Sequence, residues 1–104
     1  MAETVDQKFD RLQQWGTANL EKYTHTFNFN RLLDLYANWK VARDGPAPDD
    51  NPHGPSGKNK YKWARWKAVS GKTTEQAKLD YIELMERMNK ELLMIDPTLE
   101  FTNE

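Results

Sequence analysis

The chain contains no cysteine, which excludes disulfide staples, thiolate nucleophiles and cysteine metal sites. Histidine is scarce too, with two residues, His25 and His53. They lie far apart in loop-like surroundings with no carboxylate at ligand spacing, so both are expected to be solvated surface residues and not metal ligands. No apolar run approaches the roughly 20 residues needed to cross a bilayer. The opening residues, Met1-Ala2-Glu3-Thr4, offer neither a signal-peptide core nor a glycine for myristoylation, and the expectation is a cytoplasmic protein. Excess charge of one sign is missing as well: 15 Lys and Arg stand against 16 Asp and Glu. That balance counts against a dedicated nucleic-acid binder, which usually carries a large positive excess. No nucleophile–base pair, paired carboxylates or glycine-rich phosphate loop stands out, so an enzyme is the least expected reading.

What is present is helical periodicity. With 104 residues, a single domain over the whole chain with one modest core is expected. Val5, Phe9 and Leu12 recur at steps of four and three beside Trp15. Gly16 weakens this first segment, which could still continue to Tyr23, and 24–28 reads as a connection. A second helix should be capped by Asn28 or Asn30 and carry Leu32, Leu33, Tyr36 and Trp39 as a stripe. Gly45 sits where its stop belongs, and Pro46 and Pro48 prevent continuation. The segment 45–57 is then a long loop within one domain. A third helix is expected over about 59–70 between Gly57 and Gly71. Thr73 and Gln76 have the spacing of a capping box for a fourth. That helix carries Ala77, Tyr81, Leu84, Met85, Met88 and Leu92, and should stop near Ile95 because Asp96 precedes Pro97. The tail is expected to fray from about 96 to 104. Four such helices make an all-α bundle.

One face of the second and third segments mixes charge with aromatic rings. Tyr36 and Lys40 are four apart and share a helix face. Lys58, Lys62 and Arg65 follow at steps of four and three, within one sector at about 100° per residue. Trp66 lies close to that sector and is assigned to the core, while Arg65, Lys60 and Lys67 are left as surface charge. A cationic rim beside aromatic faces suits a ligand with a phosphate end, a flat ring and an apolar part. Lysine bonds to phosphate are worth roughly 1.5–3 kcal/mol each, and each buried methylene about 0.8 kcal/mol. The same spacing leaves other readings open. These residues could form an ordinary solvated face, a nucleic-acid surface along 58–67, or a Trp- and Met-lined groove for a partner protein.

Three blocks of sequence resemble the acyl-CoA-binding protein family. Leu35-Tyr36-Ala37-Asn38-Trp39-Lys40-Val41-Ala42 is similar to its L/I-Y-x-x-Y/F-K-Q-A segment. Lys58-Asn59-Lys60-Tyr61-Lys62-Trp63-Ala64-Arg65-Trp66 is similar to K-G-K-A-K-W-x-A-W. Gly71, Thr73, Glu75 and Ala77 with Tyr81-Ile82 resemble G-x-S-x-E-x-A-x-x-x-Y-I/V. The separations between the blocks fit without a gap from about Leu32 to the end of the fourth segment, over half the chain. The resemblance implies an up-down-down-up four-helix bundle that binds medium- and long-chain acyl-CoA esters as a carrier and buffer of the acyl-CoA pool. It places Tyr36 and Lys40 at the adenine and its 3′-phosphate, Lys62 also at that phosphate, and Tyr81 at the nucleotide. Lys58 is implied as a further ligand-contacting lysine and Trp63 as a neighbour of the acyl chain. No cofactor is implied; the partners would be acyl-CoA esters and enzymes that use them, and the protein a monomer. Two departures stand out. The family's first-helix contacts have no obvious match, and the loop before the third helix reads Pro52-His53-Gly54-Pro55-Ser56-Gly57-Lys58 where the family commonly has P-G-x-x-D-F-K.

Overall fold

Thr4 opens the first helix because its hydroxyl accepts from the Gln7 amide at 3.1 Å while the Gln7 side chain accepts from the Thr4 amide at 3.0 Å. In the computed structural model, which describes residues 2–23, 25–52 and 57–96, helix α1 spans Val5–Asn19. The chain does continue to Tyr23, but as a tighter 3-10 turn over Leu20–Tyr23. Asn28 caps α2, Phe29–Asp44, by accepting from the Arg31 amide at 2.9 Å. Gly45 ends it with φ at 82°, a left-handed conformation that a side chain resists.

Helix α3 spans Lys58–Ala68 and α4 spans Thr74–Ile95. The expected capping box of α4 is only half formed. Thr73 accepts from the Gln76 amide at 3.0 Å, but the Gln76 side chain turns forward and donates to Asp80 at 2.9 Å. Its N–H thereby gains an ionised acceptor one turn ahead, a stronger bond than the neutral one its oxygen would accept from the cap amide. The tail 97–104 lies outside the described residues.

Ion pairs and contacts fix the helix directions. Asp6 pairs with Lys78, and Gly16 lies beside Tyr81 and Met85 further along, so α1 and α4 run in the same sense. Arg31 at the start of α2 grips Glu91 near the end of α4 through two hydrogen bonds of 2.7 Å. At the other end of α2, Asn38 meets Lys72 just before α4 begins, so these two run oppositely. Phe29 packs against Tyr61, and Gly45 meets Trp66, which makes α3 parallel to α2. The arrangement is the expected up-down-down-up bundle, and the described residues contain no strand.

The core gathers Phe9 and Leu12 of α1, Leu35, Ala37 and Val41 of α2, Trp66 of α3, and Ala77, Tyr81, Met85, Met88 and Leu92 of α4. Phe27, within the stretch expected to be a mere connection, is also buried, and Arg31 lies 5.1 Å over its ring. The parallel pairing of α2 with α3 needs a long return, and two tryptophans hold it. Trp66 donates to the Gly45 carbonyl at 2.8 Å and Trp63 to that of Pro48 at 2.9 Å. Buried Asn38 is satisfied by donating to the Asp34 carbonyl and accepting from Lys72 at 2.7 Å. Among the described residues no helix is long and apolar enough to cross a membrane.

Candidate ligand-binding site

Helix direction brings three of the expected site residues together. Tyr36 projects from α2, Lys62 from α3 and Tyr81 from α4, and all three line one cavity of about 260 Å³. The Lys62 ammonium lies 5.2 Å over the Tyr36 ring, an attraction between cation and ring quadrupole. Lys62 makes no ion pair among the described residues, so its charge is available to an incoming anion. Tyr81 is buried edge-on against Phe9, ring centroids 5.1 Å apart. Burial pushes its hydroxyl far above the ordinary phenol value, which keeps it a protonated donor. That hydroxyl has no hydrogen-bond partner among the described residues.

A second, larger cavity of about 520 Å³ adjoins the first and shares Leu32, Tyr36 and Lys62 with it. Phe27, Phe29 and Leu33 give it an apolar lining, with Glu21 and His25 at its edge. The smaller is lined by the rings of Tyr36, Trp39 and Tyr81 together with Leu20, Leu32 and Leu35, and the larger by Phe27, Phe29, Leu32 and Leu33 together with Glu21, His25 and Lys62. Rings and hydrocarbon are available in both, and Lys62 is a cation that the two share.

The other expected residues stand elsewhere. Lys40 lines neither cavity. Its ammonium donates to Asp44 at 2.6 Å and lies 4.6 Å over the Trp66 ring. The Lys40 bond, with help from Arg43 and against a smaller opposing effect of burial, holds the Asp44 carboxyl below its ordinary value. Trp63 lines neither cavity either; its indole N–H is taken by the loop, and Lys67 lies 4.9 Å over its ring. The Lys58 side chain lies outside the described residues. Arg65 is not simple surface charge: it pairs with Asp34 and donates to Asn30 at 3.0 Å, clamping α3 to α2.

Sequence reasoning missed the contribution of the first helix. Gln13, Gly16, Thr17 and Leu20 form one wall of the smaller cavity. Trp39 donates its indole N–H to Gln13 across the α1–α2 seam. The available signal was a helical run with a glycine where two elements approach closely.

A family model described as Acyl CoA binding protein matches residues 6–85. The chain belongs to the acyl-CoA-binding protein family. An acyl-CoA-binding protein of Brassica napus is 38% identical over 69 residues, covering 66% of this chain and 75% of that protein. The acyl-CoA-binding protein of Saccharomyces cerevisiae is 36% identical over 59 residues, covering 57% of this chain and 68% of the yeast one. Among solved structures, that of Oryza sativa Acyl-CoA-Binding Protein 2 superposes with a TM-score of 0.61 at 34% identity, over 78% of this chain and 91% of that one. The acyl-CoA-binding protein match thus takes in α1 to α3 and the first half of α4, the part of the chain that builds both cavities.

Proposed function

We propose that this protein binds medium- and long-chain acyl-CoA esters and acts as a single-domain, monomeric carrier and buffer of the acyl-CoA pool, in the cytoplasm and without chemical turnover. The reading rests on family membership and on one observation above all: Tyr36 and Lys62 stand where two largely apolar cavities meet. In this reading Tyr36 and Tyr81 meet the nucleotide, and Lys62 meets the 3′-phosphate at the rim. Lys40 reaches the same phosphate by exchanging Asp44 for it, so binding replaces one anion by another. Lys58 and Trp63 are assigned supporting contacts with the ligand. Phe27, Phe29 and Leu33 enclose the first part of the acyl chain, whose buried methylenes contribute about 0.8 kcal/mol each.

Calorimetric titration with palmitoyl-CoA tests this. Saturable one-to-one binding at micromolar concentration is expected, with palmitate alone binding far more weakly. Absence of saturation would end the reading.

A further inference from the structure

Large apolar side chains left in water are concentrated at one end of the bundle. Seven are exposed among the described residues. Five of them, Phe29, Tyr61, Leu93, Met94 and Ile95, belong to the first turn of α2, the first turn of α3 and the last turn of α4. The Arg31–Glu91 pair brings the start of α2 to the end of α4, and the Phe29 and Tyr61 rings meet with centroids 5.9 Å apart. Met94 is 86% exposed and Ile95 61%. Single apolar residues on a surface need no explanation, but a cluster of them marks a place of interaction.

Charge says what that surface meets. Helix α3 carries four lysines and Arg65 and no acidic residue, in a chain whose formal net charge is -1. Its exposed residues, Lys60, Tyr61, Ala64, Lys67 and Ala68, recur at steps of three and four and form one face. Lys60 and Lys67 make no ion pair among the described residues. Two carboxylates of this region, Asp34 and Glu91, are already held by Arg65 and Arg31. A basic face of small and aromatic residues that runs into an apolar end suits the boundary layer of a bilayer. There lysines meet anionic headgroups and a tyrosine keeps one edge wet. Phe29 belongs both to the exposed cluster and to the wall of the larger cavity, so the apolar surface continues inward at that ring.

We propose that this end of the bundle docks on membranes rich in anionic lipid, with Phe29, Tyr61, Met94 and Ile95 entering the headgroup layer and Lys60 and Lys67 facing its negative charge. The docking goes beyond the acyl-CoA reading and needs no bound ligand. It would set the mouth of the larger cavity against a source of hydrocarbon chains.

The test is co-sedimentation of the unliganded protein with vesicles of phosphatidylcholine alone or of phosphatidylcholine mixed with phosphatidylserine. Binding is expected to the mixed vesicles, with little to the neutral ones, and it should weaken as added salt screens the charges. Lys60→Ala combined with Lys67→Ala should reduce partition onto the mixed vesicles roughly twentyfold, at about fivefold per lysine. Tyr61→Ser combined with Met94→Ser should reduce it about tenfold through lost apolar insertion. None of these four residues lines either cavity, so both variants should melt and bind palmitoyl-CoA as wild type does.

Equal sedimentation with the two kinds of vesicle would overturn the proposal, as would either variant partitioning like wild type. Sedimentation with neither would leave the apolar end to residues 97–104, a second copy or a protein partner, and the proposal would fail. Vesicle binding without palmitoyl-CoA binding sinks the acyl-CoA reading alone; palmitoyl-CoA binding without vesicle binding sinks only the docking.

Discussion

Removing the Lys62 ammonium should cost binding through one specific contact. The group lies over the Tyr36 ring at the junction of the two cavities, and no carboxylate among the described residues neutralises it. A charge-assisted bond to phosphate is worth about 1.5–3 kcal/mol. Lys62 is only half-buried, so the lower end applies, and Lys62→Ala should weaken palmitoyl-CoA binding roughly tenfold. Folding should change little, since an exposed cation–ring contact is worth about 0.5–1 kcal/mol. The assay is a cycle of four calorimetric titrations: wild type and Lys62→Ala, each with palmitoyl-CoA and with its 3′-dephospho analogue. If Lys62 meets that phosphate, the substitution should matter for the first ligand and hardly at all for the second. A coupling below about 0.5 kcal/mol, the scatter of independent sites, would refute the assignment. A strong loss with both ligands would instead put Lys62 on another phosphate.

Three further predictions concern the scaffold. Leu12 is fully buried, so Leu12→Ala should lower the unfolding free energy in urea by about 2–5 kcal/mol, and a loss below about 1 kcal/mol would contradict that packing. Gly45→Ala forces a side chain into the left-handed region at φ 82° and should cost about 1–2 kcal/mol, read as a lower thermal midpoint with ligand affinity retained. Lys72→Ala leaves the buried Asn38 oxygen and Asp80 without their ammonium partner and should cost about 1 kcal/mol near neutral pH. At Asp80, burial raises the carboxyl pKa, but hydrogen bonds from Lys72 and Gln76 outweigh it and hold the group below its ordinary 3.8. Its contribution is therefore present above 3.8 and lost as the pH falls further, so the gap between wild type and Lys72→Ala in urea melts should shrink in acid. A gap that widens there would reverse the argument.

The helices were legible because their signals are local. Asn28, Gly45 and Thr73 act within a turn of themselves, and most of the apolar stripes is buried: Phe9 and Leu12 in α1, and Ala77, Tyr81, Met85, Met88 and Leu92 in α4, while Val5 at the start of α1 is exposed. What failed depended on distant partners. The half-formed box at Thr73 arose because Asp80 competes for Gln76. Arg65 looked like surface charge because Asp34 and Asn30 belong to another helix. Tyr36, Lys62 and Tyr81 were identified by resemblance, while their shared cavity needed the crossing of three helices to be seen. Gly16 looked like a weakness in α1, since periodicity cannot say that Tyr81 will stand 3.2 Å from its missing Cβ.

The smaller cavity draws its lining from all four helices, with Gln13, Tyr36, Lys62 and Tyr81 each supplied by a different one. No half of the chain can therefore assemble it, and an occupant is lost whenever any one helix undocks. Occupancy then acts on the protein as a whole. A ligand at a hundredfold excess over its dissociation constant adds about 2.7 kcal/mol against unfolding. That increment should appear as slower amide exchange in α1, α2, α3 and α4 together, and not as a local stiffening around the pocket.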